Sequence, residues 1–102
     1  MAVDLVGAYD SAMSLAVEAD IFSRIIDPSN PTLSPEGARA ILELGYWEAD
    51  HARMAELARG SNEGTLTDDE RRTFEGYVFV GDVLSMLKSK ARLSLRKHSP
   101  AA

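Results

Sequence analysis

A chain of 102 residues suffices for one small domain with one core, and 45% hydrophobic with 26% charged residues is ordinary for a soluble globular protein. It has no cysteine, which excludes disulfides, thiol catalysis and thiolate metal sites and is compatible with a cytoplasmic protein. The net charge of −5 is uneven: residues 1–87 hold all 16 acidic and 6 of the 11 basic residues, a balance of −10, and residues 88–102 hold the other 5 basic residues and no acid, a balance of +5.

Residues 3–26 read as a first helix. Leu5, Ala8, Tyr9, Ala12, Ala16, Ala19, Phe22 and Ile26 form one apolar stripe at helical spacing, and Val6, Met13, Val17 and Ile21 a narrower second one. Asp4, Asp10, Glu18 and Asp20 interrupt the apolar residues and no basic segment precedes them, which argues against a signal peptide or a membrane-spanning helix. Asp27-Pro28-Ser29-Asn30-Pro31 reads as a turn, because a residue before proline leaves the α region.

A second helix starts at Ser34-Pro35, with serine as cap and proline at the first helical position. Ala38, Ile41, Leu42 and Leu44 give it an apolar side, and Gly45 is its expected stop. A third helix is expected from Trp47 to Arg59, with Trp47, Met54, Leu57 and Ala58 buried and Gly60 closing it. Residues 61–66 read as a loop.

The fourth helix is the longest, from Thr67 to about His98. Thr67-Asp68-Asp69-Glu70 fits the capping box, its three acids suit the positive end of the helix dipole, and Pro100 bars continuation. It carries two apolar stripes. Tyr77, Val80, Leu84, Leu87, Ala91 and Leu95 share one face, of which Tyr77, Val80, Leu84 and Leu87 are expected to be buried against the first and third helices. Phe79, Val83, Met86, Lys90, Leu93 and Lys97 share a second, about 120° away at 100° per residue. Either the first helix or another chain must cover this second stripe. Lys90 and Lys97 on it call for carboxylates opposite. It is therefore the expected partner-binding surface, with another protein or a second copy as occupant. Lys88, Arg92 and Arg96 line up at four-residue steps and suit either an acidic partner or nucleic-acid phosphates.

Tests for chemistry are negative. Glu48 and His51 make one Glu-x-x-His step, whereas a carboxylate-bridged di-metal bundle needs two such steps and two further carboxylates. Ser61-Asn62-Glu63-Gly64 lacks the ligand register of a calcium loop, and Tyr46-Trp47 reads as core. No nucleophile is paired with a base, so the expectation is a protein that is not an enzyme and needs no metal or other cofactor.

From Leu33 onward the chain resembles a family of small, uncharacterised bacterial proteins. The matching blocks are Leu33-Ser34-Pro35-Glu36 with Ala38-Arg39, Ala49-Asp50-His51-Ala52-Arg53-Met54 with Glu56-Leu57, Glu63-Gly64-Thr65-Leu66-Thr67, and Ser89-Lys90-Ala91-Arg92-Leu93-Ser94-Leu95. Genes of this family often sit beside genes for small HNH-type nucleases, so the resemblance implies an antitoxin-like or inhibitory partner of such a nuclease. The predicted fold is all-α: one helical domain over residues 1–98, about four helices in a small bundle with a long C-terminal helix, and a disordered tail at 99–102.

Overall fold

The computed structural model describes residues 11–98 and side chains from Leu15 onward. The start of the first helix at residue 3, its stripe positions before Leu15, Pro100 as a stop and the tail at 99–102 lie outside the described residues. Within them the chain is all-α, with four helices: α1 (Ser11–Ile26), α2 (Pro35–Leu42), α3 (Glu48–Glu63) and α4 (Asp68–Lys97).

The caps decide where each helix begins and ends. After α1 the backbone enters the left-handed region at Asp27 (φ 50°), and the Asn30 amide donates to the Asp27 carbonyl at 3.0 Å to close the turn. Ser34 accepts from the Gly37 amide at 3.0 Å, and Pro35 opens α2. The second helix stops at Leu42, short of Gly45. The Glu43 and Leu44 amides bond back three residues, to Ala40 and Ile41, and tighten the last turn. Gly45 does not enter the left-handed region and is no stop.

The third helix corrects the sequence reading twice. Trp47 is its N-cap, in extended backbone, and is 81% exposed instead of buried. A cap residue lies outside the helical repeat, so Trp47 does not share the face of Leu57. Gly60 lies inside the helix, which runs on to Glu63 and ends at Gly64 (φ 71°). Gly60 serves a close approach: a Cβ there would stand 2.6 Å from the Cδ2 of Leu66, which folds back over it. Gly64 takes the left-handed conformation that favours glycine and turns the chain toward α4.

At the start of α4 both halves of the capping box are present. Thr67 Oγ1 accepts from the Glu70 amide at 3.1 Å, and Glu70 Oε1 accepts from the Thr67 amide at 2.9 Å. At 1.5 Å per residue, 30 residues make a rod about 45 Å long, which accounts for most of the 52 Å extent of the molecule.

The bundle is laid out flat around this rod. Each of α1, α2 and α3 packs on α4, and among the described residues no two of them pack on each other. Phe22 meets Phe79, and the end of α1 meets Lys90, so α1 runs parallel to α4. Leu33 meets Ser94, and Tyr46 and Asp50 meet Tyr77, so α2 and α3 follow one another along α4, with α3 on the side away from α1. Three rods side by side, each about 10 Å across, account for the 33 × 18 Å cross-section.

A flat bundle has a thin core. Only Ala38, Leu57, Ala91 and Ser94 are fully buried among the described residues. Tyr77, Leu84 and Leu87 are half-buried, and Val80, expected in the core, is 43% exposed because it lies on a strip of α4 between the two covered sides. Ser94 is polar yet fully buried. Its hydroxyl accepts from the Leu33 amide at 3.1 Å and donates to the Lys90 carbonyl at 2.8 Å, so the linker before α2 is bonded to the last third of α4.

Candidate interaction surfaces

The stripe of Phe79, Val83, Met86, Lys90, Leu93 and Lys97 faces α1 over most of its length. The Phe79 ring packs on Phe22 with centroids 5.9 Å apart. Lys90 Nζ donates to the Ile26 carbonyl at 2.6 Å and more weakly to the Asp27 carbonyl at 3.5 Å. The last carbonyls of a helix have no partner within it and carry the negative end of its dipole, so an ammonium there supplies both bond and charge. The acceptor for Lys90 is thus a helix end of its own chain. Val83, Met86 and Leu93 are half-buried, and Lys97 is exposed at the end of α4.

On the other side of α4 a small polar cluster fastens α3. The Tyr77 hydroxyl donates to Asp50 Oδ1 at 2.7 Å, and the Tyr46 hydroxyl donates to the Tyr77 carbonyl at 2.5 Å. Tyr46 meets the rings of Tyr77 and His51 edge-on. The bond to Asp50 pushes the Tyr77 phenol above its usual pKa, with burial and the Asp50 charge adding to it; burial first, then the Asp50 and Asp82 charges, raise Tyr46. Both phenols stay protonated at neutral pH and act as donors in a latch. Among the described residues no three His, Asp or Glu side chains converge as a metal site.

Between α1 and the end of α3 lies an open groove of about 480 Å³ with α4 as its floor. Leu15, Ala16 and Ala19 form one wall, Gly60 and Leu66 the other, and Phe74, Val78 and Asp82 the floor. It exists because α1 and α3 both reach α4 but not each other.

Three residues on the outer side of α1 form a row at four-residue steps: Val17, Ile21 and Ile25 are 56%, 41% and 74% exposed. Val17 and Ile21 belong to the narrower stripe read from the sequence, which α4 does not cover. Further down the molecule Lys88 is half-buried beside Gly45, and Arg92 and Arg96 are exposed. None of the three has an ion-pair partner among the described residues, whereas Arg24, Arg53, Arg71 and Arg72 are each paired with a carboxylate three or four residues away. No helix among the described residues is long and apolar enough to cross a membrane.

No protein-family model, no curated protein and no solved structure matches this chain.

Proposed function

We propose that the chain is a cytoplasmic, non-catalytic protein-interaction module, and that its partner is the small HNH-type nuclease implied by the resemblance, held in an inhibited, antitoxin-like complex. The observation that carries this reading is the exposed row Val17, Ile21 and Ile25. The opposite side of α1 is fixed on α4, so the row is presented on a braced helix and needs no ordering on binding. These side chains are 41–74% exposed, and covering what remains open would contribute about 1 kcal/mol apiece, or roughly 100-fold in affinity together. In this reading the stripe from Phe79 to Leu93 acts by holding α1, and Lys97 stands at the rim.

The test is co-expression with a nuclease encoded beside the gene, comparing the parent with Ile21→Glu/Ile25→Glu. Loss of capture with helicity retained is the expected result; equal capture by the well-folded variant contradicts it.

A second reading, nucleic-acid binding, is favoured by Lys88, Arg92 and Arg96, which line up without ion pairs among the described residues. If they meet phosphates, duplex DNA affinity falls with salt at a log–log slope of about −0.9 per contact, and Arg92→Ala/Arg96→Ala reduces that slope.

A further inference from the structure

On α4, Val78, Asp82, Ser85, Ser89, Arg92 and Arg96 are all exposed. They recur at alternating steps of four and three, so they form one polar strip along the helix over a length of about 27 Å, with Val78 its one apolar member. The strip lies along the uncovered side of α4 and begins in the floor of the groove, where Val78 and Asp82 sit.

Its residues are symmetric about Leu87. In an antiparallel helix pair, positions equally distant on either side of the twofold share a layer. Asp82 then meets Arg92 of a second copy, Ser85 meets Ser89, and Val78 meets the aliphatic stem of Arg96. The twofold repeats each layer, giving two Asp–Arg layers around two serine layers. The serines are small, so the rods can approach closely at the centre. Neither Asp82 nor Arg92 has an ion-pair partner among the described residues, so both are available to pair across the seam. A parallel pair would stack Asp82 on Asp82 and Arg92 on Arg92; like charges thus select the antiparallel arrangement.

We infer that a second copy of this chain docks on this face, with α4 against α4 in an antiparallel seam held by Asp82–Arg92 layers. The seam and the outer row of α1 are separate surfaces, so this pairing holds or fails independently of the nuclease partner.

The experiment is sedimentation equilibrium on the full chain and on Asp82→Arg, Arg92→Asp, their equimolar mixture, and the double variant Asp82→Arg/Arg92→Asp. The parent is expected at twice the chain mass. Each single variant carries one sign in both charged layers and is expected to self-associate at least about tenfold more weakly. The mixture pairs an all-Arg seam with an all-Asp seam and is expected to recover the dimer, as is the double variant. Far-UV circular dichroism confirms that each variant remains helical. A monomeric parent overturns the proposal, whether Arg92 and Arg96 then meet nucleic acid or another protein. So do single variants that dimerise as well as the parent, or helical single variants whose mixture stays monomeric.

Discussion

Replacing Lys90 with methionine keeps the stem that packs beside α1 and removes the ammonium that holds its end. The 2.6 Å bond to the Ile26 carbonyl is lost, together with the charge at the negative end of the α1 dipole. A hydrogen bond to a charged group contributes about 1.5–3 kcal/mol, with the lower end appropriate for a half-buried site, and the dipole adds about 0.3–1 kcal/mol. The total is about 2 kcal/mol. Because α1 packs on α4 alone among the helices, the loss should fall on α1 and spare α3. Native-state amide exchange reads this directly. About 2 kcal/mol corresponds to roughly 30-fold faster exchange where α1 opens locally. Amides of α3 should keep their protection. Unchanged α1 exchange in Lys90→Met, or equal loosening of α1 and α3, would show that the Lys90 bond does not hold α1.

Leu57 is the largest fully buried apolar side chain among the described residues, and Leu57→Ala should destabilise the chain by about 2–5 kcal/mol in urea unfolding. Thr67→Ala leaves the Glu70 amide without its acceptor and should cost about 1 kcal/mol; an unchanged melting temperature would contradict the cap. The bond to Asp50 raises the folded-state pKa of Tyr77 above its ordinary value of 10.0, so the latch contributes fully below about pH 10 and is lost as pH rises through the folded value. Stability should therefore fall more steeply above pH 10 in the parent than in Tyr77→Phe, and parallel pH curves would show that the bond does not matter.

Much of the fold was legible because caps are local. Thr67 with Glu70, and Ser34 with Pro35, announce their helices within four residues, and both caps form as read. The end of α3 was not legible in this way. Gly60 and Gly64 are both plausible stops, and the choice depends on Leu66 closing over Gly60, a contact made only after the chain has turned. Trp47 was misplaced because an N-cap residue escapes the periodicity that makes an indole beside a helix look like core.

The candidate surfaces were legible as patterns but not as pairings. Periodicity placed Lys90 on an apolar stripe and called for a carboxylate opposite, but the acceptor is the Ile26 carbonyl, 64 residues away in sequence, which nothing local announces. The burial of Ser94 was not signalled, since a serine in a helix reads as solvated and its partner is the Leu33 amide. These two contacts join distant parts of the chain, and they determine which side of α4 is covered and which remains open.

The most direct test of the proposed interaction role is an amide-exchange footprint of the full chain with and without a small HNH-type nuclease, the partner proposed above. The expected result is slowed exchange in α1, around Val17, Ile21 and Ile25, with α2 unchanged. Exchange that is the same in every helix with and without the nuclease would show that the outer row of α1 does not bind it.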